Sequence, residues 1–150
     1  MRKTVLVADD DLAFRTAMAD GLRAAGYDVA VAGNGLETIR QVRLAPPHFL
    51  LLDLIMPKLD GIRACRVLKR HPQHRNIPVI ILTALGPDGL KHLEELEADA
   101  CVAKRQADVT VAEVLETLER LGSAGPRPLP PADTLQGLAP RRIGARRAAR

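Results

Sequence analysis

Short apolar runs alternate along this chain with stretches whose apolar residues recur every three or four positions. Thr4-Val5-Leu6-Val7-Ala8 reads as a buried strand. Phe14, Ala17, Met18, Leu22 and Ala25 then keep helical spacing, and Gly26 marks the helix end. Tyr27 to Ala32 is a second strand, closed by the turn Gly33-Asn34-Gly35. Leu36, Ile39, Val42 and Arg43 suggest a second helix, stopped by Pro46-Pro47. Phe49-Leu50-Leu51-Leu52 is a third strand. Asp60 can cap a third helix that carries Ile62, Cys65 and Leu68. Ile77 to Leu82 is a fourth strand, and Leu90, Leu93 and Leu96 line a fourth helix. Ala100 to Ala103 is a short fifth strand, followed by a last helix with Val111, Val114, Leu115, Leu118 and Leu121 on one side.

Five strands alternating with five helices call for an α/β fold, a doubly wound five-stranded parallel sheet covered on both faces. The third and fourth strands are apolar almost throughout, as strands buried on two sides must be. After Gly122 the composition changes to Ser, Gly, Pro, Ala and Arg. The pattern therefore predicts one domain over 1–122 and a Pro/Arg-rich basic tail over 123–150. The tail has too little apolar surface to offset the entropy of ordering.

Charge changes the picture once it is divided. The chain is +4 overall, but 123–150 hold six arginines and one acid, Asp133. Residues 1–122 carry 16 basic and 17 acidic residues. A nearly neutral domain argues against a fold that grips nucleic acid with its whole surface, so direct DNA binding is not expected. No apolar run approaches the ~18 residues needed to span a bilayer. Met1-Arg2-Lys3-Thr4 leads straight into a short apolar run with Asp9 behind it, which is not a signal peptide. A cytoplasmic protein is expected. Cys65 and Cys101 form no CxxC pair and read as small buried hydrophobes. His48, His71, His74 and His92 are scattered and read as surface residues.

In an open parallel sheet, ligands bind outside the carboxyl ends of the strands. Strand one here ends in Asp9-Asp10-Asp11, strand three in Asp53, strand four in Thr83 and strand five in Lys104. Bare carboxylates brought together repel, and a hard divalent cation such as Mg²⁺ relieves this with oxygen ligands. A carboxylate can also act as a nucleophile towards phosphorus. Phosphoryl transfer needs positioning and charge neutralisation above all. Lys104 can supply positive charge and Thr83 a hydrogen bond. Asp11 and Asp60 read as helix caps, Gly61 as relief of backbone strain, and Gly33-Asn34-Gly35 as a plain turn that lacks a phosphate-loop pattern.

The Asp9-Asp10 pair, the run Leu52-Asp53-Leu54-Ile55-Met56-Pro57-Lys58-Leu59-Asp60-Gly61, the segment Pro78 to Ala84, and Lys104 together resemble the receiver domain of two-component response regulators. The resemblance covers about residues 3–121. It implies a flavodoxin-like (βα)5 fold with strand order 2-1-3-4-5. It implies Asp53 as phosphoacceptor, and Mg²⁺ held by Asp53, Asp10, Asp9 and the backbone carbonyl of Ile55, with Asp10 as direct ligand and Asp9 acting through water. Thr83 and Lys104 would grip the phosphoryl group, beside the small Ala84. Phosphate would come from a sensor histidine kinase or a histidine phosphotransfer protein, and output would pass to another protein by contact. The regulator would be stand-alone, a monomer or weak dimer, catalysing only its own phosphorylation and dephosphorylation, since no segment after residue 122 is long enough for an output domain.

Rival readings are weaker. An aspartate-nucleophile phosphatase resembles an Asp-x-Asp arrangement, but Ile55 stands two residues after Asp53 and cannot move a proton. A receiver-like binding module that never takes phosphate is the alternative reading, opposed by the intact Asp9, Asp10, Asp53, Thr83 and Lys104. The chain also departs from the family it resembles. Cys101 replaces the usual strand-five aromatic, and Arg105 follows Lys104 where proline is usual. A trans Lys104–Arg105 bond and a muted or rerouted switch are expected. Ile55 and Leu85 cannot orient an attacking water, so a long-lived phosphoryl group is expected.

Overall fold

A computed structural model describes residues 2–84 and 96–123 of the chain. Five strands, β1 (Thr4–Ala8), β2 (Asp28–Ala32), β3 (Phe49–Asp53), β4 (Val79–Thr83) and β5 (Ala100–Ala103), form one parallel sheet in the order β2-β1-β3-β4-β5. Four helices are described: α1 (Leu12–Ala24), α2 (Gly35–Leu44), α3 (Gly61–Arg70) and α4 (Ala107–Ser123). The doubly wound α/β architecture and the strand order agree with the sequence reading. The expected helix with Leu90 and Leu93 lies outside the described residues, as do Leu85, His92 and the tail beyond Ser123. Leu96 is described and buried.

The alternation of side chains across each strand builds two cores. Leu6, Ala8, Leu50, Leu52 and Ile81 face α2 and α3, with Cys65, Leu68 and Leu96 packed on them. Val5, Val7, Phe49, Leu51, Ile80 and Leu82 face α1 and α4, against Phe14, Met18, Leu22, Val114 and Leu118. Every residue of β3 and β4 is buried.

Helix ends follow local chemistry. Asp11, Asn34 and Asp60 each accept a hydrogen bond from the amide three residues on, in Phe14, Glu37 and Arg63. The caps read at Asp11 and Asp60 are therefore present. Helix α1 ends in a Schellman turn: Gly26 N–H donates to Arg23 O and Tyr27 N–H to Leu22 O. Gly26 takes φ 99°, which a side chain would disfavour.

Several expectations need correction. β2 begins at Asp28, not Tyr27, and β4 at Val79, because Ile77 N–H donates to His74 O and Pro78 has no amide hydrogen. Gly35 opens α2, where its amide donates to Leu59 O and a Cβ would collide with that same oxygen. Ala17, Ala25 and Leu36 are exposed rather than core residues. His74 is buried and stacks on His71 at 4.4 Å between ring centroids. His48 is exposed, yet its Nδ1 accepts a bond from Thr4 N–H. Cys65 is buried, and burial pushes its thiol up to about 11, whereas Cys101 is only half-buried.

A buried ion pair joins α3 to the start of β5. Lys69 Nζ lies 2.9 Å from Asp99 Oδ2 and donates to the carbonyls of Arg75 and Ile77. The same Asp99 oxygen accepts the amide of Val79. At the sheet edge, the outward carbonyls of β2 are occupied: Arg23 donates to Val29 O and Gln41 to Val31 O.

Candidate acidic phosphoacceptor site

The carboxyl ends of β1 and β3 bring Asp9 and Asp53 into neighbouring positions, because Ala8 pairs with Leu52 in register. Asp9, Asp10 and Asp53 each offer a carboxylate oxygen within 4.8 Å of the others. Asp9 is fully buried, Asp53 is buried and Asp10 is exposed. Asp9 Oδ1 accepts the amide of Asp11, and its backbone carbonyl accepts Arg15 NH1. Asp53 Oδ1 accepts the amide of Ile55 at 3.3 Å. The Ile55 side chain is 65% exposed and stands at the rim.

Lys104 follows β5, and its amide donates to Thr83 O at 2.8 Å. That bond sets its backbone beside the end of β4. Its Nζ reaches 2.8 Å from Asp9 Oδ2 and 3.6 Å from Asp53 Oδ2. The ammonium also lies over the Phe14 ring, 4.5 Å from the centroid, a cation–π contact. Thr83 is buried at the end of β4 and Ala84 is exposed. No described peptide bond is cis, so Lys104–Arg105 is trans as expected.

The electrostatics follow from crowding. Burial raises the Asp53 pKa first, and the Asp9 charge adds to it. Lys104 and the Ile55 amide oppose this, while Asp10 again raises it. For Lys104, burial works against the charged form. The hydrogen bond and charge of Asp9, with Asp53 and Asp11, outweigh burial and raise its pKa. Three carboxylates and one ammonium leave the cluster net negative. Such an all-oxygen set suits a hard divalent cation.

The loop from β3 to α3 is strained. Lys58 and Leu59 have φ 52° and 85°, outside the usual range for residues with side chains. Gly61 was read as relief of such strain, but its φ is not positive. It is required by close approach, since a Cβ there would collide with the carbonyl oxygen of Asp53. The structure thus brings Asp9, Asp10, Asp53, Thr83, Lys104 and the Ile55 backbone to one edge. The sequence reading missed Phe14 and Arg15 as site neighbours. Their signal was position, three and four residues past Asp11 at the start of a helix that leaves the acid pair.

A family model for the response regulator receiver domain matches residues 5–116. The alkaline phosphatase synthesis transcriptional regulatory protein PhoP of Bacillus subtilis (strain 168) is 34% identical over 124 residues, which cover 79% of this chain and 51% of that protein. The signal receiver domain of a histidine kinase from Syntrophus aciditrophicus aligns with TM-score 0.70 and 32% identity, covering 77% of this chain and 89% of that one. The receiver domain of sensor histidine kinase PA1611 from Pseudomonas aeruginosa PAO1, solved with a magnesium ion coordinated in its active site cleft, aligns with TM-score 0.73 and 26% identity over 80% of this chain and 97% of that one. The chain spans about half the length of the curated relatives it matches.

Proposed function

The chain belongs to the response-regulator receiver domain family, and from that premise we propose that Asp53 accepts a phosphoryl group from a histidine kinase or a histidine phosphotransfer protein in a Mg²⁺-dependent reaction. The observation that carries this reading is the meeting of Asp53 with Asp9, Asp10 and Lys104 at one sheet edge. Asp9, Asp10, Asp53 and the Ile55 carbonyl would hold the cation. Mg²⁺, when bound, supplies positive charge for the anionic donor.

The chain's own groups carry the rest. An oxygen of Asp53 forms the new bond to phosphorus as the donor's phosphorus–nitrogen bond breaks, and the electron pair leaves with the donor imidazole. Lys104 moves from Asp9 towards the phosphoryl oxygens. The Thr83 hydroxyl donates to one of them, and exposed Ala84 leaves the approach open. No helix among the described residues is long and apolar enough to cross a membrane; the cytoplasmic reading rests on membership of the receiver family. Output is read as passing through protein contacts, with the switch muted because the half-buried Cys101 is too small to act as a swinging aromatic.

Incubation with acetyl phosphate and Mg²⁺ tests the assignment. The wild type should gain one phosphoryl mass and Asp53→Asn none. Equal labelling of the variant would show the acceptor to be elsewhere.

A further inference from the structure

The near neutrality of residues 1–122 hides a division of charge. Residues 35–78 hold eight lysines and arginines against three acids, Glu37, Asp53 and Asp60. Helix α3 exposes Arg63, Arg66 and Arg70, spaced three and four apart and hence on one side. Helix α2 packs beside it on the same sheet face and exposes Arg40 and Arg43. Of these five, among the described residues, only Arg63 has a carboxylate within reach, its own cap Asp60 at 3.9 Å.

Part of this charge serves the helices themselves. Arg43 and Arg70 lie in last turns, where a cation meets the negative end of the dipole. Arg40, Arg63 and Arg66 lie outside those turns. The patch also carries apolar groups. Leu44 is 75% and Val67 40% exposed. Leu44 further walls an apolar groove of about 250 Å³ with Leu6, Ala30, Ala45 and Pro47.

We propose that the α2–α3 face docks an acidic amphipathic segment of another protein. Its carboxylates pair with Arg40, Arg43, Arg66 and Arg70, and one of its apolar side chains enters the groove beside Leu44. Guanidinium groups match carboxylates with paired hydrogen bonds. A phosphate backbone would satisfy the arginines but leave Leu44, Val67 and the groove uncovered. Phe14 and Phe49 are buried and offer no platform for base stacking. Thr4, the first residue of β1, also lines the groove, which places it at the sheet edge opposite Asp53. A partner seated there leaves the acid cluster open.

The test uses the full 150-residue chain and a fluorescein-labelled helical peptide of glutamate, leucine and alanine. A twin peptide with glutamine for glutamate is the control. The acidic peptide should bind saturably at low salt, at least about fivefold tighter than its twin, and should weaken above about 0.3 M salt. Replacing Arg40, Arg43, Arg66 and Arg70 together by glutamine should weaken it about tenfold, with the variant still folded at the assay temperature by circular dichroism. Leu44→Asp alone should weaken it about fivefold. The tail arginines remain in both variants, so binding that survives in either one overturns the proposal. Tighter binding of duplex DNA, or of phosphatidylglycerol vesicles, through the same four arginines overturns it in favour of a nucleic acid or a lipid surface.

Discussion

Lys104 is bound more closely to Asp9 than to Asp53, its Nζ lying 2.8 Å from Asp9 Oδ2 and 3.6 Å from Asp53 Oδ2. Asp9 is fully buried, so this lysine compensates a carboxylate that water cannot reach. Lys104→Met should therefore cost roughly 2–4 kcal/mol of stability, because a buried charge loses its partner. Urea unfolding without divalent cation measures this. A midpoint equal to that of the wild type would mean that Asp9 finds its compensation elsewhere.

A cation in the acid cluster should stabilise the fold. At tenfold excess over its dissociation constant, Mg²⁺ should add about 1.4 kcal/mol, or roughly 3–6 °C in melting temperature. Asp10 is exposed, so Asp10→Asn should remove the gain without harming the metal-free protein. The same rise in the variant would place the cation elsewhere.

Asp53 should make the metal-free protein less stable as pH rises. Burial and the Asp9 charge raise its pKa, so the folded state holds the Asp53 proton more tightly than the unfolded state does. Stability from this group is thus present below the carboxyl range and lost as pH climbs through it. In chelator, Asp53→Asn should overtake the wild type as pH rises from about 4 to 7, with a difference that grows and then levels. A difference that is flat with pH, or shrinks, contradicts the crowding described above.

Ile55 stands exposed at the rim two residues after Asp53. An apolar side chain there cannot orient a water on the phosphoryl group. Ile55→Asn should shorten the lifetime of the labelled protein severalfold, followed by mass spectrometry after donor removal. A wild type that decays faster than this variant would reverse the reading.

The Lys69–Asp99 pair should act as a structural pin. Lys69→Met leaves Asp99 without its ammonium and should cost about 3–5 kcal/mol. Adding Asp99→Asn should recover part of this, because the uncompensated charge is then gone. Denaturant midpoints of the single and double variants decide it, and a loss under about 1 kcal/mol for Lys69→Met would make the pair incidental.

Legibility in the sequence tracked the range of the interaction. β1 and β5 have the bounds read from the sequence: β1 because an almost fully buried strand announces itself as an apolar run, β5 because Asp99 and Lys104 bracket a short apolar run although it is only partly buried. The caps at Asp11 and Asp60 were legible because both partners lie three residues apart. The acid cluster was legible because strand ends converge in any parallel sheet. The burial of Lys69 was not, since its partner Asp99 is thirty residues away. Gly61 was assigned the wrong reason, because a collision with the Asp53 carbonyl is a tertiary fact. Net charge was summed correctly over 1–122, yet its division between faces needs the packing of α2 against α3.

The side chains of Arg23 and Gln41 occupy the outward carbonyls of β2. A foreign strand that tried to lengthen the sheet there would first have to displace both donors, and would find two acceptors already taken. The β2 border is thus guarded at two of its acceptors against the edge-to-edge pairing through which many sheet proteins aggregate or capture extended peptides. Helical surfaces, rather than this strand border, are left to choose the company this domain keeps.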